Sequence, residues 1–207
     1  MKPAEEILLK DALKSLKLST ILRELPECVR QSKVGGDSYE QFLLALCERE
    51  LQQRRANQLT RRFKEACFPQ MKVLEETKTE KWLSISAMQI REYADAEYVQ
   101  KKENLIFIGK HGTGKSHAAI AFGIEACRNG YRTLFTTAAE LVNTLMEARD
   151  EKRLKNYLNK LRKIPLLIID ELGYIPFSEE AGRLLFQVVS GRYEQGSTII
   201  TTNLVFA

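Results

Sequence analysis

Residues 105 to 120, LIFIGKHGTGKSHAAI, set three glycines within six positions and follow them with Lys115 and Ser116. Gly109, four further residues and Gly114-Lys115-Ser116 fit the phosphate-loop pattern. The spacing has a chemical reason. Gly112 and Gly114 let backbone N–H groups turn toward phosphate oxygens, where a side chain would obstruct them. A helix starting at Lys115 would add the positive end of its dipole. Lys115 is then placed to reach the β- and γ-phosphates of a nucleotide, and the Ser116 hydroxyl to bind Mg²⁺. His111 and His117 read as loop and helix residues rather than catalysts.

A second group of candidates closes the run LLIIDEL, residues 166 to 172. Four aliphatics in a row describe a strand buried on both faces, whose carboxyl end opens onto the ligand crevice of a parallel sheet. Asp170 there would complete the Mg²⁺ shell, and Glu171 would act as general base toward the water attacking the γ-phosphate. A glutamate beside the magnesium aspartate suits hydrolysis, whereas a small-molecule kinase needs an acceptor pocket; water is the favoured nucleophile. A third candidate ends STIITTN, residues 197 to 203. Taken alone, Asn203 reads as a turn-forming residue closing a strand. Beside the other two motifs it becomes a candidate bridge between the water and the γ-phosphate.

The elements that must position these residues follow from periodicity. Leu105–Ile108, Thr133–Thr136, Leu166–Ile169 and Thr198–Thr201 are short apolar or β-branched runs. Between them lie helical patterns over Lys115–Asn129, Ala138–Lys163 and Ser178–Glu194. Alternating strands and helices predict a parallel sheet with right-handed crossovers. Gly130 and Gly196 fall where helices should stop. Upstream, residues 1 to 67 read as helical, from the spacing of Ile7, Leu8, Ala12 and Leu16 and of Ile21, Leu22 and Leu25. Pro26 and Gly35-Gly36 punctuate; Asp37 or Ser38, the latter at capping-box distance from Gln41, opens a long helix reaching about Ala66. Phe42, Leu43, Leu46, Leu51, Leu59 and Phe63 are its apolar candidates, and Lys72 to Lys81 reads as a linker. The expected division is a helical N-terminal domain over 1–68 and a nucleotide-binding core over 69–207.

Composition narrows the class. The 207 residues are 44% hydrophobic and 29% charged, a globular balance with room for one domain or a compact one with an added module. No apolar run reaches membrane-span length, and the N-terminus, amphipathic and carrying acids, fits neither a secretory signal nor a transit peptide, so a cytoplasmic location is expected. Cys28, Cys47, Cys67 and Cys127 form no CxxC pair, which argues against a metal site and for reduced thiols.

GKHGTGKS, LLIIDELGY and IITTN, in this order, resemble Walker A, Walker B and sensor 1 of AAA+ ATPases. The longer block LLIIDELGYIPFSEEAGRLLFQVVSGRYEQGSTIITTN is similar to the IstB-type helper ATPases of insertion-sequence transposons, with DnaC-type helicase loaders as close relatives. The resemblance implies an α/β P-loop NTPase of the AAA+ class, a parallel sheet with flanking helices and the sensor strand between the two Walker strands, preceded by a small all-helical domain. It implies ATP and Mg²⁺ as cofactors, ATP-dependent oligomers on duplex DNA, and a transposase as partner. By motif position Gly109, Gly112, Thr113, Gly114, Lys115, Ser116 and His117 would contact nucleotide, Asp170 and Ser116 the metal, and Glu171, Lys115 and Asn203 would be catalytic. Relatives continue past sensor 1 into a fifth strand and a helical lid bearing an arginine finger; this sequence ends at Ala207, four residues beyond Asn203. The expectation is a core lacking the lid, with its phosphate-loop strand on an open sheet edge and weak hydrolysis.

Charge supplies the last candidates. Thirty-two basic residues against 27 acidic ones give +5 and a pI near 9.0, a mild bias whose location must decide its meaning. RDEKRLKNYLNKLRK, residues 149 to 163, holds seven basic residues and two acids. It reads either as a solvated helical face or as a sequence-tolerant contact with DNA phosphates through Lys152, Arg153, Lys155, Lys160, Arg162 and Lys163. The resemblance favours the second reading. A second cluster, Arg54, Arg55, Arg61, Arg62 and Lys64, could serve subunit or transposase contacts, and Arg192 could approach a neighbour's site or pack a helix end. The alternatives for the whole protein are a helicase loader, a nucleotide-gated scaffold that hardly hydrolyses, and a P-loop small-molecule kinase.

Overall fold

The computed structural model describes residues 3–74, 82, 85–174 and 176–204. From position 75 onward the segment read as a linker lies outside these residues, as does Ala207. The chain divides into two compact units, Met1–Thr60 and Arg61–Ala207.

In the first unit, α1 (Pro3–Ser15), α2 (Ser19–Gly35) and the leading part of α3 (Tyr39–Ala66) enclose a core of Leu13, Ile21, Cys28 and Leu46. Phe42 packs on this core, whereas Leu43 and Leu51, equally apolar, stay exposed. Pro26, read from the sequence as punctuation, does not interrupt α2, which runs through it. An interior proline costs a helix about 3 kcal/mol or more. Ile21, Leu22, Leu25 and Cys28 bury on both sides of Pro26, and that continuous face outweighs the penalty. The stop comes at Gly36, whose φ of 69° admits the left-handed turn that ends α2. Ser38 then opens α3 with a capping box: Gln41 N–H donates to Ser38 Oγ at 3.3 Å and Ser38 N–H to Gln41 Oε1 at 2.8 Å.

The start of α2 has no capping side chain of its own. Glu50, buried on α3, takes that role, accepting the N–H of Thr20 at 2.9 Å and of Ile21 at 3.1 Å. Arg54 donates to its other oxygen at 2.8 Å and to the Lys17 carbonyl at 2.7 Å. Burial pushes the Glu50 carboxyl up, but the Arg54 hydrogen bond and the two amides together hold it below its ordinary value of 4.5. The stabilisation is therefore complete above pH 4.5 and is lost as pH falls through the lower folded value. Glu50→Gln should destabilise this unit by about 1–3 kcal/mol at pH 7. Thermal melts of variant and parent should converge below pH 4.5; an equal gap at pH 7 and pH 3.5 would contradict the assignment.

In the second unit β1 (Leu105–Ile108), β2 (Thr133–Thr137), β3 (Leu166–Leu172) and β4 (Ser197–Thr202) form a parallel sheet in the order β1-β4-β3-β2. The strand leading to Asn203 thus lies between the strands that carry the other two motifs. Helices α4 (Ala87–Ala94), α5 (Glu97–Lys101), α6 (Lys115–Arg128), α7 (Ala138–Asp150), α8 (Leu154–Arg162) and α9 (Glu179–Arg192) complete the unit. Along β3 the side chains alternate between two cores. Leu166 and Ile168 join Ala119, Phe122 and Ile124 of α6, while Leu167 and Ile169 join Leu141 and Leu145 of α7, Leu161 of α8 and Leu184 of α9. Full burial of each such side chain contributes about 1.5–3 kcal/mol. On β1, by contrast, Ile106 and Ile108 are 48% and 46% exposed, while Leu105 and Phe107 pack inward.

The single helix predicted over 138–163 is two. Leu141, Leu145 and Ala148 bury one face of α7, and Leu154, Leu158 and Leu161 bury one face of α8. At about 100° per residue, Leu145 and Leu154 would lie about 180° apart on one continuous helix. Both faces can reach the core only if the chain turns, and Lys152, at φ 57°, makes the turn.

Arg192 is an interior residue, 1% exposed, and does not face outward toward a neighbour. Its guanidinium donates to the carbonyls of Ile164 at 2.9 Å, Ser197 at 2.6 Å and Leu161, and to Thr198 Oγ1 at 3.2 Å. It ties the end of α8 to the start of β4. Burial pushes its pKa down to about 10. Gly196 is needed for this approach, because a Cβ there would stand 3.0 Å from the Arg192 guanidinium and from two carbonyl oxygens.

Candidate nucleotide-binding site

The site forms at the carboxyl ends of the strands. β1 stops at Ile108, and the loop turns through Gly112 and Gly114, at φ 78° and 88°, before α6 begins at Lys115. Any Cβ at these two glycines would be strained, so the motif's glycines answer to backbone geometry. The Lys115 ammonium donates to the carbonyls of Gly109 at 2.8 Å and Lys110 at 2.9 Å, and lies 5.9 Å from the centre of the Tyr174 ring. Thr113 Oγ1 donates to the Lys110 carbonyl at 2.9 Å. The cation is thus parked across the mouth of its own loop on acceptors that an anion's oxygens can replace.

Ser116 Oγ donates to Asp170 Oδ1 at 2.8 Å across 54 residues of sequence. Asp170 is only 6% exposed. The next residue behaves differently. Ile169 pairs with Ile200 and Leu172 with Thr202, so Asp170 and Glu171 together oppose the single residue Thr201. This is a β-bulge, and Glu171 occupies it at φ 61°, exposed. Bulges re-aim side chains; here one acid turns inward onto Ser116 and its neighbour outward. Thr201 Oγ1 holds the bulge, donating to Asp170 Oδ1 and accepting the Glu171 N–H at 3.0 Å.

Asn203 is exposed immediately after β4. Thr202 pairs with Ile108, and its carbonyl accepts the Gly109 N–H at 3.2 Å, which sets Asn203 against the first residue of the phosphate loop. Thr202 Oγ1 fixes the turn from both sides, donating to the Leu172 carbonyl at 2.7 Å and accepting the Leu204 N–H at 3.1 Å. His117 lies on the first turn of α6 with its ring centre 6.4 Å from that of Trp82. Burial and then the charge of Lys72 lower its pKa, which leaves it neutral at pH 7.

Three residues of this region were not singled out from the sequence: Trp82 lies outside the motifs, while Tyr174 and Thr201 fall within LLIIDELGY and IITTN without a role of their own. Trp82, the sole tryptophan, packs so close to Gly114 that a Cβ there would meet its indole nitrogen at 3.2 Å. With Ile85, Tyr93 and Phe107 it lines a cavity of about 540 Å³ that reaches Gly109 and Lys115. Tyr174 covers Lys115 and lies edge-on to His111. Thr201 sits at the bulge.

The structure keeps the six basic candidates apart from this cluster. Lys152 and Arg153 lie on the turn between α7 and α8, Lys155, Lys160 and Arg162 on α8, and Lys163 just beyond it; all are exposed. Arg153 pairs with Glu151, whereas among the described residues no carboxylate pairs with Lys155, Lys160, Arg162 or Lys163. Elsewhere Arg54 and Arg61 are engaged by Glu50 and Glu65. No helix among the described residues is long and apolar enough to cross a membrane.

A family profile described as IstB-like ATP binding protein matches residues 11–207. The chain belongs to this family. It is similar to the IS21 insertion-sequence ATP-binding protein of Pseudomonas aeruginosa, 34% identical over 195 residues that cover 94% of this chain and 74% of that one. It is 35% identical to the IS232 insertion-sequence ATP-binding protein of Bacillus thuringiensis subsp. berliner, over 94% of this chain and 78% of that one. Among solved structures the IstB-like chain resembles the DnaC helicase loader, 29% identical with a TM-score of 0.52 over 58% of this chain and 69% of that one. It also shares the fold of the replication initiator DnaA bound to AMPPCP and single-stranded DNA, with 18% identity and a TM-score of 0.52 over 64% of this chain and 42% of that one. The IstB-like chain thus has an AAA+ P-loop α/β fold, with helices at its N-terminus, and is an ATP-binding protein of the insertion-sequence type.

Proposed function

We propose that this IstB-like chain hydrolyses ATP and, in the ATP-bound state, assembles on duplex DNA to assist a transposase. The observation that carries the hydrolysis is the bulge at β3, which directs Asp170 onto Ser116 and Glu171 outward into solvent. Lys115 exchanges the carbonyls of Gly109 and Lys110 for phosphate oxygens, and the amides of the loop surround the chain of phosphates. The cavity beside Trp82 and Tyr93 takes the nucleobase end.

Ser116 Oγ and the Asp170 carboxylate form an all-oxygen pair, the donor chemistry suited to Mg²⁺, which takes one or two protein oxygens beside phosphates and waters. Mg²⁺ held there would supply neutralisation of the charge on the phosphates. Glu171 receives the proton of a water as its oxygen bonds to the γ-phosphorus, and the β–γ bridging oxygen departs with the electron pair, giving ADP and phosphate. Asn203, set beside Gly109, holds that water in line. A solvent-facing Glu171 favours water over a bound acceptor and so favours an ATPase over a kinase.

The basic turn and α8 support sequence-tolerant phosphate contact, since Lys155, Lys160, Arg162 and Lys163 are exposed. Particle size on duplex DNA should grow with ATP and not with ADP or without nucleotide. Reversing Lys152, Arg153 and Lys155 to glutamate should weaken binding at least about tenfold on every sequence and lower the salt slope by about 3. Equal growth in ADP, or an unchanged slope, would remove the corresponding part of the reading. The 29% identity to the DnaC helicase loader favours a helicase loader as second reading; capture of a replicative helicase in preference to a transposase would select it.

A further inference from the structure

We propose that Thr201 is a positioning residue for both acids, acting through its hydroxyl; this rests on the hydrolytic reading of Glu171 and extends it. Thr201 is 1% exposed, yet it lies on the strand next to the acids and meets neither of them in sequence. Its oxygen is used twice: the O–H donates to Asp170 Oδ1, and the lone pairs accept the Glu171 N–H at 3.0 Å. The second bond holds Glu171 at φ 61°, a conformation that side chains rarely adopt, and so decides where its carboxylate emerges.

The first bond matters most when the site is loaded. Asp170 Oδ1 also accepts from Ser116 Oγ at 2.8 Å. A cation drawn to both oxygens replaces that bond, and Thr201 then remains as the contact that keeps the carboxylate aimed. One side chain on β4 thereby sets the Mg²⁺ ligand and the general base together. Valine has the same branched shape and no hydroxyl; serine keeps the hydroxyl.

The test compares Thr201→Val, Thr201→Ser, Asp170→Asn and Glu171→Gln in the full chain. ATP affinity, with Mg²⁺ and in its absence, is read from the fluorescence of Trp82, the sole tryptophan, which lies against Gly114. Hydrolysis is read in single turnovers. Thr201→Val should lose about 10- to 100-fold of the affinity that Mg²⁺ confers, approaching Asp170→Asn, and a similar factor in the hydrolytic step. Its Mg²⁺-free affinity should stay within about twofold of the parent, and Thr201→Ser should restore both losses. A full Mg²⁺ effect in Thr201→Val overturns the proposal whether or not the parent hydrolyses ATP. If the parent is no faster than Glu171→Gln while the Mg²⁺ effect depends on Thr201, hydrolysis falls and the positioning role stands. Should Thr201→Val not fold, the parent decides: its Glu171 amide must exchange slowly, and open exchange there overturns the proposal.

Discussion

Glu171→Gln should lower ATP turnover by about 10²–10⁴-fold, the usual contribution of a positioned general base. ATP affinity should change little, because Glu171 is exposed and makes no contact with Lys115, Ser116 or the loop glycines among the described hydrogen bonds. Glutamine keeps the length and shape of the side chain and removes only its capacity to take a proton. The variant therefore separates chemistry from binding, which Lys115→Ala could not do. Single-turnover phosphate release and an ATP titration give the two quantities. A fall of less than about threefold would show that another group accepts the proton. The same variant sorts motor from scaffold. If assembly on DNA and the downstream reaction proceed undiminished in Glu171→Gln, ATP binding is the operative step and hydrolysis only resets it.

Arg192→Met should destabilise the second unit by about 1–3 kcal/mol, the scale on which buried acceptors that lose a donor act. The guanidinium reaches five acceptors, on Leu161, Ile164, Pro165, Ser197 and Thr198, away from solvent, since Arg192 is 1% exposed. Methionine fills much of the volume and removes every one of these donations, although the Leu161 carbonyl keeps the Ile164 N–H. Lysine should recover only part of the loss, because one ammonium cannot span the fork that a planar guanidinium presents. Domains are stable by only about 5–15 kcal/mol, so the change should be plain in a urea titration. A shift below about 1 kcal/mol would mean that water reaches these carbonyls.

The phosphate loop, the two acids and the strand before Asn203 could be read from the chain because each depends on local pattern: glycine spacing, a run of aliphatics, a β-branched run. The central place of that strand in the sheet came only from the family resemblance, since strand order leaves no local pattern. The break between α7 and α8 was also legible, in the half-turn change of phase between Leu145 and Leu154, and a count of apolar residues without their angles conceals it. Ser86 and Gln89 stand at capping-box spacing and cap α4, a local signal for this helix. Other features had no local signal. The course of α2 through Pro26 depends on Leu13 and Leu46, contributed by other helices. The interior place of Arg192 depends on carbonyls at 161, 164 and 197 that only the folded chain gathers. Thr201 looks like any β-branched strand residue, and its role arises from one extra residue in the opposing strand. Trp82 reaches Gly114 only through tertiary packing.

The order β1-β4-β3-β2 divides the site between anchored and yielding parts. Asp170, Glu171 and Thr201 stand on strands that are laced to neighbours on either flank, whereas among the described residues the glycine loop hangs from β1, paired along β4. Within the described sheet, displacing the loop therefore disturbs one ladder, and displacing the acids disturbs two.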